Sequence, residues 1–276
     1  MPALGEEIVV ERSQGWPSLR LRELLRFHEL LYFLVWRDVK VRYAQTALGV
    51  AWAVLQPLLT VVVFTVFFNR VAKVSGGGIP YPVFSLSGLV PWFFFANGVG
   101  LASASVVSSA NLVTKVYFPR LIIPTAATAS GLPDLAVAFV LLLIVMAGYG
   151  IAPAATVALV LLALVLVLVT TLGVAFWLAA LNVQYRDVRY VVPLLVQLWL
   201  LATPIAYPIG TVHGTWRTLF GLNPMAGAIE AFRSALLGLA SPPASMITLS
   251  CVVAVGLLVS GAYYFVQMER RFADVI

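Results

Sequence analysis

The chain reads as an all-α integral membrane protein: six transmembrane helices, both termini on the cytoplasmic side, an N-terminal amphipathic interfacial helix, and re-entrant outer-face helices between spans five and six. Three observations predict this. Of 276 residues, 62% are hydrophobic and 10% charged, a composition that belongs to bilayer proteins. Six long apolar stretches carry almost no charge inside them, and a helix satisfies its own backbone polar groups in hydrocarbon. Lys and Arg also fall unequally on the two sides of those stretches, as insertion requires.

Taken in order, Leu19 to Trp36 places Leu21, Leu24, Phe27, Leu31, Leu34 and Val35 on one helical face and Arg22, Arg26 and Glu29 on another. That pattern suits a helix lying along anionic headgroups, or an ordinary cytoplasmic helix packed on a partner. Crossing roughly 30 Å of hydrocarbon takes about 20 helical residues. The candidate spans are Leu48 to Phe68, Val83 to Ala104, Ile122 to Tyr149, Ala154 to Leu181, Tyr190 to Tyr207 and Ala244 to Tyr264. The fifth is the shortest. Only the third contains a charged residue, Asp134, at a cost of about 2.5–3.5 kcal/mol if it sat at mid-bilayer. Following Pro133, it either faces the bundle interior or a water-filled gap, or caps a proline break near the inner leaflet.

Gly150 to Pro153 joins spans three and four as a tight hairpin. The internal loops Asn111 to Pro124 and Asn182 to Arg189 are richer in cations and aromatics. On the outer side, Pro208 to Pro243 is too long for a turn and contains LNPMAGAIEAFRSALLG, residues 222–238. A seventh span there would carry Glu230 and Arg233 and push Arg270 and Arg271 outside, so a re-entrant pair of short helices is the better reading. The chain thus divides into a cytoplasmic segment 1–46, a six-span membrane domain 47–268 and a cytoplasmic tail 269–276.

With the N-terminus inside, thirteen Lys and Arg lie on internal segments and four, Arg70, Lys73, Arg217 and Arg233, on external ones. The net charge of +6 therefore expresses orientation and not a nucleic-acid surface. Glu6, Glu7 and Glu11 interrupt the place of a signal-peptide core, so the first span is expected to act as its own insertion signal. A single cysteine, Cys251, excludes an internal disulfide.

Catalytic chemistry finds little support. The sequence has no GxxxxGK[ST] phosphate loop, no HExxH, no GxSxG and no Cys/His cluster, and its two histidines, His28 and His213, flank opposite sides. Transport driven by this chain's own ATP site is excluded by that route. An ion-coupled carrier would want several ionisable groups at the midplane, and a membrane glycosyltransferase would want carboxylate sets.

Six segments then agree in order and spacing: RDVKVRYAQTALGVAWAVLQPLL (37–59), GLVPWFFF (88–95), NLVTKVYFPRLIIP (111–124), LNVQYRDVR (181–189), LNPMAGAIEAFRSALLG (222–238) and FADVI (272–276). They resemble the membrane subunits of type-2 ABC exporters, in the branch that exports polysaccharides as O-antigen, capsule and teichoic acid permeases. The resemblance implies a permease in the cytoplasmic (inner) membrane, two copies side by side around a channel for a lipid-linked polysaccharide. Two separate ATPase subunits would lie beneath and bind the ATP and Mg, with no cofactor on this chain. Membrane lipids are implied partners, and nucleic acid is not.

By the same resemblance, Asn111 to Pro124 matches the coupling helix that seats in the ATPase, with Lys115, Tyr117, Phe118, Pro119 and Arg120 as contact residues. Arg186 and Asp187, with Arg37 and Asp38, would complete the docking surface or form solvated ion pairs. Sugars present apolar C–H faces, so aromatic rings suit a sliding surface. The candidates are Trp52, Tyr81, Trp92, Phe93, Phe94, Trp199 and Tyr207; consecutive positions cannot all face one channel. The outer segment resembles external gate helices, with Asn223, Pro224, Glu230 and Arg233 at the gate. A type-2 exporter of drugs or lipids, and an ion-coupled carrier or channel, are the alternatives.

Overall fold

The computed structural model describes residues 26–44, 51–211 and 215–275, and every regular element among them is helical. We number these α1 (His28–Ala44), α2 (Ala51–Phe64, continued by a π-helical turn Thr65–Val71), α3 (Tyr81–Ser108), α4 (Ala110–Lys115), α5 (Ile122–Ala129), α6 (Leu132–Gly148), α7 (Leu159–Gln184), α8 (Val188–Leu201), α9 (Thr215–Leu219), α10 (Pro224–Leu237) and α11 (Ala244–Val275). Among the described residues, five helices are long and apolar enough to cross a membrane: Ala51–Val71, Tyr81–Ser108, Ile122–Gly148, Leu159–Gln184 and Ala244–Glu269. The stretch expected as a span from Tyr190 to Tyr207 is helical only over 14 residues, Val188–Leu201. These rise about 21 Å.

Central to the bundle is α3, which packs on α5, α6, α7 and α10, while α7 and α11 form the most extensive helix pair. Hydrocarbon supplies no hydrophobic drive between helices, so close approach must supply the contact energy. Small residues permit it. Ala102, Ala127 and Ala175 meet where α3, α5 and α7 cross, and a side chain at Gly261 would strike the Gly173 carbonyl and Trp177. Asn182 adds a hydrogen bond from α7 to α3, its Nδ2 donating to the Ser103 carbonyl at 2.9 Å.

Two hydrophobic cores result. One fills the middle and one end of the bundle with residues of α3, α6, α7 and α10, including Phe95, Leu142, Ile229 and Phe232. The other gathers Leu34 of α1, Val113 of α4, Phe118, Phe176 of α7 and Phe265 and Phe272 of α11. We call the end with this second core proximal, and the end with Tyr81 and α10 distal.

Several boundaries differ from the sequence expectation, each for a visible reason. α1 runs past Trp36 to Ala44. With Phe27 just ahead of it, it rests Leu31, Leu34 and Val35 on the proximal core and exposes Tyr32, Phe33 and Trp36 on its other side. Residues 19–25, and with them Leu21, Arg22 and Leu24, lie outside the described set, as do residues 48–50 of the first span. α11 continues through Val275, into the stretch set apart as a tail, because Phe272 packs edge-on to Phe265 with centroids 5.3 Å apart. The connection between α6 and α7 occupies residues 149–158 and is no tight hairpin. Its Ala154 N–H donates to the Leu236 carbonyl and its Thr156 hydroxyl to the Ala235 carbonyl, both at 2.9 Å, which satisfies carbonyls that the end of α10 leaves open.

Candidate functional site

At the distal end the chemistry centres on Arg233. α10 forms where it does because its ends are capped: Asn223 Oδ1 accepts the Met225 N–H at 3.1 Å, Pro224 opens the first turn, and Gly238 closes the helix at φ 66°. α10 is buried almost throughout, and it carries Arg233 into the bundle at 0% exposure. All five guanidinium donors are engaged. Nε donates to Ser87 Oγ at 3.3 Å; Nη1 donates to the Pro204 carbonyl at 2.6 Å and to Glu230 Oε1 at 3.2 Å. Nη2 donates to the carbonyls of Ile205 at 2.6 Å and Phe84 at 3.3 Å. The guanidinium also lies over the Phe84 ring, 3.9 Å from its centroid, and any side chain at Gly88 would overlap it.

Two of these donors hold the irregular chain that follows α8. Thr203 to Ala206 are buried without regular structure, and backbone groups removed from water need partners. Arg233 supplies two of them, Tyr81 donates its hydroxyl to the Ala206 carbonyl at 2.8 Å, and Asn223 Nδ2 donates to Thr203 Oγ1 at 2.9 Å and to the Ala202 carbonyl at 3.3 Å. Trp199 Nε1 completes the cluster with a 2.9 Å bond to Asn223 Oδ1. Residues expected separately at a gate (Asn223, Pro224, Glu230, Arg233) and along a path (Tyr81, Trp199) thus form one assembly.

The proximal surface is built differently. α4 and residues 116–121 form a short helix and loop between α3 and α5. Lys115 is exposed and Tyr117 is 71% exposed, whereas Phe118 is 4% exposed, inside the proximal core. The paired contact role expected of Tyr117 and Phe118 is therefore corrected: adjacent residues on an extended loop point to opposite sides, and the apolar core takes Phe118. Arg120 also turns inward, its backbone N–H donating to Glu269 Oε1 at 3.2 Å and its Nη1 to the Glu269 carbonyl at 2.7 Å. Pro119 is half-buried between them, and Arg186 and Asp187 are exposed on the other loop. Arg37 and Asp38 pair with each other at 2.8 Å, in the partly exposed manner of solvated neighbours.

The aromatic candidates separate by face. Tyr81 and Trp92 are each 3% exposed and packed inside the bundle, where α3 is covered by other helices, so a sliding surface made by them is corrected to core packing. Trp52, Phe93 and Phe94 line a common cavity of about 360 Å3. Trp199 borders a separate apolar hollow of about 920 Å3 with Trp177 and Trp216, and Tyr207 is half-buried. Sequence reasoning passed over Gln56 and Asn97 beside Trp52 and Phe93, although an amide inside an apolar span is itself a signal. It also missed Ser87, Gly88 and Glu269, whose roles exist only through distant partners. Asp134 pairs with Arg42 at 2.5 Å at the break between α5 and α6. No group of three or more His, Cys, Asp or Glu able to hold a metal occurs among the described residues.

Comparison with known proteins agrees with the resemblance read from the motifs. The family profile described as ABC-2 type transporter matches residues 29–237. The O-antigen export system permease protein RfbA of Myxococcus xanthus is 31% identical over 259 residues, 93% of this chain and 98% of that protein. A protein of the same name from Klebsiella pneumoniae is 29% identical over 90% of this chain and 95% of its own length. The polysialic acid transport protein KpsM of Escherichia coli is 26% identical over 86% and 93%, respectively.

Proposed function

This chain belongs to the ABC-2 type transporter family, and on that premise we propose that it is the permease of an ATP-driven exporter of a lipid-linked polysaccharide. The glycan is of O-antigen, capsule or teichoic acid type, and the membrane crossed is the cytoplasmic one. Collinear similarity to O-antigen export permeases along nearly the whole chain carries this reading. Two copies frame the conduit, and two separate ATPase subunits bind ATP and Mg and supply the work.

The topology we propose has six crossings with both termini inside, following the imbalance of thirteen internal to four external cations. α8 falls short of roughly 30 Å of hydrocarbon, and the buried irregular segment after it completes the fifth crossing. α9 and α10 are the re-entrant outer helices, and α10, which lies deepest, is tolerated because protein covers it.

Each region then has a mechanical part. Tyr117 is the knob that seats in the ATPase, with Lys115, Arg186 and Asp187 around it. Phe118 and the Arg120–Glu269 link fasten that loop to the proximal core and to α11, so motion of the ATPase tilts packed helices as rigid bodies. At the distal end, α10 with Arg233 and Glu230 holds the segment from Ala202 to Ala206 across the outer mouth as a gate. Deleting the gene in its host and restoring it tests the proposal. Surface polysaccharide should disappear while lipid-linked polymer accumulates inside, and the restored chain should co-purify with a nucleotide-binding subunit. Unchanged surface polysaccharide would sink it.

A further inference from the structure

Between α2, α3 and the break that separates α5 from α6, the cavity of about 360 Å3 has a lining unlike the rest of the bundle. Trp52 and Phe93 give it aromatic faces, Gln56 and Asn97 give it amides, and Arg42 and Asp134 give it one charge of each sign. Arg42 Nη1 meets Asp134 Oδ2 at 2.5 Å while Nη2 donates to Ser130 Oγ at 2.8 Å. Both charges are thus committed to partners within the chain. The side chains of Gln56 and Asn97 are exposed and have no hydrogen-bond partner among the described residues. An amide transferred unpaired into hydrocarbon costs about 4–8 kcal/mol. Lipid is therefore the wrong neighbour for either position, and water or a polar ligand belongs in front of them.

We infer that this cavity binds one sugar unit of the exported glycan, close to the end of the bundle that carries α1. The inference rests on the polysaccharide-export reading and names the residues that grip the polymer at one point of the path. A pyranose ring offers apolar C–H faces to Trp52 and Phe93. Its hydroxyls both donate and accept, as the amides of Gln56 and Asn97 do. A phosphate or a metal ion would find no uncommitted charge, because Arg42 and Asp134 neutralise each other. The volume lies within the roughly 300–1,000 Å3 of small-ligand pockets.

The single cysteine makes the test clean. In a Cys251→Ser background, Asn97→Cys and Gln56→Cys are introduced one at a time and the exporter is kept in inverted native membranes. A charged, water-soluble methanethiosulfonate is the probe, applied to membranes from cells that make the polysaccharide and from cells in which its synthesis is blocked. Both thiols should be modified in the blocked cells and protected in the producing cells. No modification, equal modification in the two, or disulfide cross-linking to the same position of a second copy would overturn the assignment. In export assays, Trp52→Ala and Asn97→Leu should each lower surface polysaccharide about tenfold, the size of one lost hydrogen bond or stacking contact. Trp52→Phe and Asn97→Gln should restore most of it. Should gene deletion leave surface polysaccharide intact, the exporter reading itself fails; should deletion abolish it while both variants export normally, this site alone fails.

Discussion

The two ends of the bundle solve opposite problems with the same residue type. Distally, Arg233 is wholly buried, and two of its five donors hold carbonyls of chain that is neither helix nor loop in water. Proximally, Arg120 is partly exposed and makes a tether between a surface loop and α11, while Tyr117 beside it is left bare. Every guanidinium donor of Arg233 has a partner within the chain, so the distal cluster is rigid. The proximal surface is deliberately incomplete. That contrast suits the function proposed above, in which the far end seals and the near end is grasped by a motor.

The sharpest way to break the comparison is at Arg233. Arg233→Ala strands the carbonyls of Pro204 and Ile205 and leaves Glu230 buried alone, a loss of about 3–5 kcal/mol. Thermal unfolding in detergent should show a large drop, and much of the chain should fail to accumulate in the membrane. An unaltered midpoint would mean that the segment after α8 stands without it. Phe118→Ala comes next, removing a large side chain from the proximal core at about 3–5 kcal/mol, toward the lower end because the loop can relax. Its neighbour sharpens the contrast: Tyr117→Ala should leave the unfolding midpoint unmoved and yet uncouple ATP hydrolysis from export. If Tyr117→Ala destabilised the chain, the outward placement of that ring would be refuted.

Gly88→Ala probes the distal end with Arg233 still present. The added methyl meets the guanidinium, and overpacking of this kind costs about 1–3 kcal/mol; stability equal to the native chain would show that Arg233 has room to move. The smallest effect belongs to Arg37 and Asp38. Their exposed pairing contributes less than about 1 kcal/mol, so Arg37→Ala should change the unfolding midpoint hardly at all, and a larger shift would reveal a partner that neighbouring pairing conceals.

Much of the site could be read in advance, but unevenly. Asn223-Pro224 ahead of an apolar run and Gly238 after it announce α10 by local capping chemistry, and Asn97 within an apolar span announces a polar opening. Phe118 could not be distinguished from Tyr117, because two adjacent aromatics on a loop differ only in which one finds a core. Trp92 and Phe93 divide in the same way on α3, one inside and one at a cavity.

By itself the order of amino acids determined that this protein lives in a bilayer, which stretches of it are apolar enough to cross, and which family it joins, since these depend on hydropathy and motifs within short stretches of chain. Only the tertiary structure decided that α8 stops short, that Arg233 reaches Ser87 and Ile205, and that Arg42 meets Asp134. Those pairings join residues up to 146 positions apart, and their strength comes from burial, which no local stretch of chain possesses until the helices have packed.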